Sequence, residues 1–350
     1  MTLKPVPTRT DDTVENYHGT PVADPYRWLE DASDPEVLAW TEAQNARTQE
    51  WLAEHAPERE RIRQRLTALW DYPKDSAPVK RGGRYFAFHN PGLLNQPLLT
   101  VRAALDAEPR VLLDVNQLSE DGTVATTNQA ASRDGRLLAY ALAESGSDWQ
   151  TIRVRDVDSG ADLADELRWC KFTNMAWLPD GSGFYYSRYP EPGSVPAERQ
   201  NSHNRVYLHR IGEEQADDAL VYARPDMPDL HFFPEVSHDG RYLVITASVG
   251  ADPRTRIYYR DLASSGEIVP LLDDADAKYE FIDNDSATFF VLTDRDAPLG
   301  RLVAIDTADP TPERWRDVIP EAGTPLAAAV AARALLVALM PIDAQHRPDL

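Results

Sequence analysis

Ser132-Arg133-Asp134-Gly135-Arg136, followed at once by Leu137-Leu138-Ala139-Tyr140, sets the architecture of the chain. An Asp-Gly pair ahead of a β-rich run marks a hairpin, because glycine accepts a positive φ and aspartate caps its own turn. The phrase returns as Leu178-Pro179-Asp180-Gly181-Ser182-Gly183 before Phe184-Tyr185-Tyr186. It returns again as Ser237-His238-Asp239-Gly240-Arg241 before Tyr242-Leu243-Val244-Ile245. Recurrence of one hairpin at domain-internal spacing predicts the blades of a β-propeller. Repeated hairpins also build sandwiches and solenoids, so spacing by itself leaves those open.

On either side of that stretch, strands alternate with turn signals from Lys80 onward. The pairs of runs 84–89 and 97–103, 136–143 and 149–156, 183–188 and 205–210, 241–248 and 255–261, and 287–293 and 300–306 form successive units. In the fifth unit the Asp-Gly turn has decayed to Asn284-Asp285-Ser286, and a sixth unit starts at about Ala327. The third carries a polar loop from Tyr189 to Asn204. The expected fold class is all-β: an incomplete propeller of about five and a half blades, preceded by a helical segment. Residues 1–72 form that segment and 73–350 the propeller.

The first segment reads differently. Asp34-Pro35 opens a helix running to about Glu54, with Asp34 as N-cap and Pro35 in the first turn. Ser33 and Glu36 offer an alternative capping box. Val37, Trp40, Ala43, Trp51 and Leu52 make a broken apolar stripe. A second helix is expected from near Glu58, with Ile62, Leu66 and Leu69 on one face and Pro57 breaking it from the first.

The formal charge of −21 repels phosphate backbones and anionic lipid heads, so neither nucleic acid nor membrane is an expected partner. Cys170 is the only cysteine, which excludes an internal disulfide and fits a reducing compartment. Met1-Thr2-Leu3-Lys4-Pro5-Val6-Pro7 lacks a secretory apolar core. The longest apolar stretch, Leu326 to Ile342, is interrupted by Arg333 and reads as buried blade strands. The expected setting is cytoplasmic.

No Gly-x-Ser-x-Gly nucleophile elbow, Walker loop, His-Glu-x-x-His or Gly-x-Gly-x-x-Gly occurs. The eight histidines are scattered and read as surface or loop residues, without a ligand set at metal-binding spacing. Asp273-Asp274-Ala275-Asp276 reads as a solvated turn, since a calcium loop needs a turn glycine and a distal glutamate. No cofactor is expected. Trp149, Phe172, Trp177, Tyr185, Tyr186, Phe232 and Phe233 lie on or beside strands, most of them as inter-blade core.

A more specific signal lies in ordered words: Asp24-Pro25-Tyr26-Arg27-Trp28-Leu29-Glu30-Asp31, Glu42-Ala43-Gln44-Asn45, Tyr72-Pro73-Lys74, Asn95-Gln96-Pro97-Leu98 and Ser145-Gly146-Ser147-Asp148-Trp149. With Met175-Ala176-Trp177 and Ser237-His238-Asp239-Gly240-Arg241-Tyr242, these resemble the N-terminal part of prolyl oligopeptidases, from about Thr8 to the late 330s. The oligopeptidase B group shares the Asp-Pro-Tyr-Arg-Trp-Leu opening, but Ser-Gly-Ser-Asp-Trp favours prolyl oligopeptidase proper.

The resemblance implies a seven-bladed propeller inserted near the start of an α/β-hydrolase domain, with the N-terminal helices packing on the hydrolase part. It implies a serine endopeptidase that cleaves short proline-containing peptides after proline, the propeller acting as gate and size filter. The family's Ser, Asp and His triad belongs to the hydrolase domain, which is missing from this chain, so the chain alone is expected to be inactive. By the same resemblance Phe172 lines the pocket for the substrate residue two positions before the proline. His231 and Ala251 fall at two further lining positions with residue types unlike the family's. Inter-blade packing remains the other reading of Phe172, and a stand-alone binding or scaffold propeller the other reading of the chain.

Overall fold

The computed structural model describes residues 4–196, 199–264, 266–332 and 335–340. The chain divides into two compact units: the residues up to Pro73 together with Pro91–Leu93, and Lys74–Asn90 together with Leu94 onward.

In the first unit, β1 (Val14–Tyr17) and β2 (Thr20–Ala23) form an antiparallel hairpin. Helix α1 spans Pro35–Glu54, and its cap is Asp34, whose Oδ1 accepts from Glu36 N at 2.7 Å. Helix α2 spans Ala56–Trp70 and so begins before Glu58. Pro57 does not break the helices apart; it lies inside the first turn of α2, where a missing N–H costs nothing. Val37 is buried, but Leu38, Trp51, Ile62, Leu66 and Leu69 are exposed.

The second unit is a series of antiparallel meanders. The first blade holds β3 (Lys74–Asp75) and β4 (Val79–Arg81), both paired with β5 (Arg84–Asn90), then β6 (Leu98–Arg102) and β7 (Arg110–Leu113). The second is β8 (Val124–Ala131), β9 (Leu137–Glu144), β10 (Gln150–Asp156) and β11 (Asp162–Cys170). The third is β12 (Ala176–Trp177), β13 (Gly183–Arg188), β14 (Arg205–Arg210) and β15 (Ala219–Tyr222). The fourth is β16 (Leu230–Val236), β17 (Tyr242–Val249), β18 (Thr255–Asp261) and β19 (Val269–Leu272). The fifth is β20 (Tyr279–Asp285), β21 (Thr288–Thr293), β22 (Arg301–Asp306) and β23 (Arg316–Ile319). Then β24 (Ala328–Ala332) pairs with β25 (Leu335–Leu339). This is the propeller architecture expected from the hairpin repeat.

Each Asp-Gly phrase joins the first strand of a blade to its second. In the second blade Gly135 N donates to Ser132 O at 2.9 Å and Ser132 N to Leu137 O at 2.8 Å. Asp134 Oδ1 accepts from Ser132 Oγ at 2.6 Å and Arg136 N at 3.0 Å. Partial burial of this carboxyl opposes its ionisation, but those two hydrogen bonds outweigh burial and hold it below the usual aspartate value. The same arrangement closes the fourth blade through Ser237, Asp239 and Arg241.

Core clusters alternate with the blades. Phe86, Leu99 and Val101 meet Leu138 and Tyr140 between the first and second. Ala139, Ala141 and Ile152 meet Trp177, Phe184 and Tyr186 between the second and third. Tyr185 and Val206 meet Phe232 and Ile245 between the third and fourth. Tyr242 and Val244 meet Tyr279, Phe281 and Phe289 between the fourth and fifth. A middle strand therefore buries both faces, which is why it reads as an unbroken apolar run.

The stretch from Leu326 differs from expectation. Leu326 and Ala329 pack on Leu292 and Leu302, while Val330, Val337 and Leu339 are exposed, so it is buried on one face only. Arg333 and Ile342 lie outside the described residues. Among the described residues no helix is long and apolar enough to cross a membrane.

Candidate functional site

The meander order sorts every connection to one of two ends. Turns between first and second strands, and between third and fourth, lie at one end of the blades. Hairpins between second and third strands, and the passages to the next blade, lie at the other. Phe172 follows β11 on the passage to β12, Ala251 sits in the β17–β18 hairpin, and His231 is the second residue of β16. All three thus belong to the same end of the propeller.

Phe172 has φ of 52° and is 51% exposed. That exposure removes it from the inter-blade core. Its neighbour Lys171 places Nζ 4.0 Å over the Trp149 ring and donates to Asn201 Oδ1 at 2.7 Å. Trp149 meets Tyr189 edge-on with centroids 6.1 Å apart, and Tyr189 meets His231 at 5.6 Å. The Tyr189 hydroxyl and His231 Nδ1 share a hydrogen bond. Burial, reinforced by the charge of Lys171, lowers the His231 pKa, so the imidazole is neutral at neutral pH. Ala251 is exposed beyond Gly250, with Asp252 N donating to Val249 O at 3.0 Å across the turn. Around Phe172 and His231 this end therefore offers aromatic side chains and the Lys171 ammonium, with an Asp252–Arg254 ion pair beside Ala251.

First strands line the space between the blades. A cavity of 930 Å³ is bounded by Gln129, Trp177, Glu235 and Ala331, among others, from four of the first strands. Arg133 spans from the second blade's turn to the fourth's, donating to His238 O at 2.8 Å and Ser237 O at 2.5 Å. Burial, with Glu280 and Asp283 nearby, pushes the Glu235 carboxyl up to about 8.

Two sequence expectations are overturned. His209 is neither a surface nor a loop residue: it is fully buried on β14 between two buried carboxylates, Asp165 and Asp218, at 2.9 and 2.7 Å. The acidic stretch is a turn but not a merely solvated one. Asp273 accepts from Tyr258 and Arg224, and Asp276 from Tyr279 at 2.5 Å while pairing with Arg295 at 2.7 Å. These pairs tie neighbouring connections together. No group of three or more His, Cys, Asp and Glu side chains suited to a metal occurs among the described residues. Tyr189 was hidden in what reads as a polar loop; its only sequence signal is one aromatic at that loop's start.

The profile of "Prolyl oligopeptidase, N-terminal beta-propeller domain" matches residues 5–347. The prolyl endopeptidase of Elizabethkingia meningoseptica is 35% identical over 326 residues, covering 93% of this chain and 46% of that protein. The dual function macrocyclase-peptidase POPB of Amanita bisporigera is 33% identical, covering 90% and 47%. Among solved structures, one from a study of two prolyl endopeptidases superposes with a TM-score of 0.88 at 32% identity, covering 96% of this chain and 50% of that one. Prolyl oligopeptidase B of Galerina marginata, bound to a 35mer hydrolysis and macrocyclization substrate, superposes at 0.83 with 29% identity, covering 97% and 51%. Fold and similarity together define a peptidase-associated β-propeller. The chain belongs to the prolyl oligopeptidase family, of which it represents the N-terminal propeller part. It spans about half the length of the curated relatives it matches, and the family's catalytic domain is not covered.

Proposed function

We propose that this chain is the substrate-admitting part of a serine endopeptidase that cuts short peptides on the carboxyl side of proline. The observation that carries this reading is the family match across residues 5–347, joined to a topology that gathers Phe172, His231 and Ala251 at one end. In this reading Phe172 and His231 contact the substrate residue two positions before the proline, and Ala251 leaves room beside them. Proline-containing peptides are the partners, with an α/β-hydrolase domain supplying a serine nucleophile and its histidine base for an acyl-enzyme. The N-terminal helices pack on that domain through their exposed apolar side chains. A cavity of 930 Å³ accepts an extended peptide and excludes a folded domain, which is how the propeller filters by size. A cytoplasmic setting goes with the reading, supported by a single, buried cysteine.

The test has two arms. The purified chain should give no turnover of a fluorogenic proline peptide. A 4-fluorophenylalanine-Ala-Pro-amide peptide should bind it weakly by ¹⁹F NMR, and Phe172→Ala should weaken that binding about fivefold, as expected for truncating an aromatic contact. Inhibitor-sensitive cleavage by the chain alone, or binding indifferent to Phe172→Ala, contradicts the reading.

A further inference from the structure

Between the first and second blades lies a cavity of 170 Å³, lined by Phe86, Phe88, Leu99, Ala131 and Leu138 among others. Phe86, Leu99 and Leu138 are buried, and Phe88 and Ala131 pack against the same cluster. Strand register sets this lining. Phe88 pairs with Leu99 across β5 and β6, and Ala131 with Leu138 across β8 and β9, so each pair shares one face. Both faces belong to the core between these two blades.

The equivalent space one blade further on is filled. Ser132 N, Leu178 N and Ser237 N make the same turn hydrogen bond, to Leu137 O at 2.8 Å and to Gly183 O and Tyr242 O at 2.9 Å. The residue before each is therefore equivalent: Ala131, Trp177 and Val236. Trp177 packs into the core between the second and third blades, meets Phe184 with centroids 5.1 Å apart, and donates from Nε1 to Ala130 O at 2.8 Å. At Ala131 the second blade supplies only a methyl group. Across from it, Ser76-Ala77-Pro78 separate β3 from β4 and stand against only Ala87 and Phe88 of β5. Ser76 and Ala77 on this bulge are exposed, and both line the cavity.

Arg81, Gln129, Ala130 and Ala131 line this cavity and also the 930 Å³ cavity enclosed by the first strands. The smaller one is thus a recess in the wall of the larger. Its interior is apolar: Ser76 Oγ accepts from Phe88 N at 2.9 Å, and Arg81 Nη1 donates to Lys80 O at 3.0 Å. An apolar cavity of about 150 Å³ holds one benzene molecule, so a recess of 170 Å³ has the size for a single aromatic side chain.

We propose that this recess is a peptide subsite, which takes one aromatic side chain of a peptide lying in the larger cavity and seats it against Phe86, Phe88 and Leu99. The guest ring occupies the space that Ala131 leaves open and that Trp177 fills one blade further on. This inference rests on the peptide-admitting function proposed above, and gives it a preferred substrate class: peptides that carry an aromatic residue at one fixed position.

Two probes test it on the full 350-residue chain. 5-Fluoroindole should bind saturably by ¹⁹F NMR, and Ala131→Leu, which grows a side chain into the recess, should abolish that binding. Ala131→Val, which installs the fourth blade's residue, should weaken it by a smaller factor, and decides the matter should the leucine variant fail to fold. The second probe is a series of octapeptide amides ending in Ala-Pro, with a single 4-fluorophenylalanine moved along an alanine background. One position should bind about fivefold tighter than the others, the scale of a buried aromatic anchor. The Ala131 variants should remove that preference and leave the weaker binding that Phe172→Ala reduces. Absence of 5-fluoroindole binding, or binding indifferent to both Ala131 variants, overturns this inference alone. So does a peptide series that responds to Phe172→Ala but not to the Ala131 variants. A series that binds nowhere, or ignores every variant, overturns it together with the peptide reading.

Discussion

His209 shows how much one side chain does between two blades. It lies on β14 of the third blade, and Asp165, one of its partners, lies on β11 of the second. Gly212 N donates to the same Asp165 oxygen at 2.7 Å, and the Tyr186 hydroxyl to Asp218 at 2.5 Å. Burial opposes the imidazolium, but hydrogen bonds and charge from the two carboxylates outweigh it and raise the pKa to about 9. The unfolded value is about 6.5, so the folded state binds the proton more tightly. This contribution is complete below about 6.5 and is lost as pH rises through about 9. Urea unfolding should therefore show stability falling between neutral pH and pH about 9.5, and His209→Ala should flatten that component. The substitution should also cost about 3–5 kcal/mol at neutral pH, since it strands two buried carboxylates. An unchanged slope in the variant would refute the assignment. Nothing in Arg205-Val206-Tyr207-Leu208-His209-Arg210 announces this role, because the two aspartates come from other strands and connections.

Among the elements, the turns were more legible than the strands they join. Gly135 has φ of 74°, and a Cβ there would lie 2.6 Å from the O of Arg81, the last residue of β4 before the neighbouring blade's turn. Gly146 has φ of 73°, but a Cβ there would meet nothing within 4 Å. Gly146→Ala should thus cost backbone strain alone, about 1 kcal/mol, while Gly135→Ala adds a clash and should cost about 2–3 kcal/mol or more. Urea midpoints of the two variants check the difference, and equal shifts would contradict turn-to-turn packing. The second and third strands of each blade stand close to where the apolar runs place them. The first and fourth strands escaped. β16 carries Pro234 mid-strand, tolerated because a first strand is paired within its blade on one side only. The outer strands β15, β19 and β23 are four residues each, too short for a period to emerge. The candidate site was legible only through family resemblance, since Phe172, His231 and Ala251 lie far apart in sequence and share only one end of the propeller.

In the whole molecule, a series of meanders divides the work. Inter-blade aromatic clusters hold the sheets, one end carries Phe172, His231 and Ala251, and first strands line a cavity of 930 Å³. In the proposed reading such a body recognises and selects, and the bond-breaking chemistry falls to a hydrolase domain. Selection by the propeller is open to a direct measurement. This chain is joined to the part of the Elizabethkingia meningoseptica prolyl endopeptidase that lies outside its match, and turnover of a fluorogenic proline peptide is followed beside that of a folded, proline-containing protein. The expected result is cleavage of the short peptide after proline, rejection of the folded protein, and no turnover by either part alone. A correctly folded chimera that attacks the folded protein as readily as the peptide would contradict the proposed role of the propeller as filter.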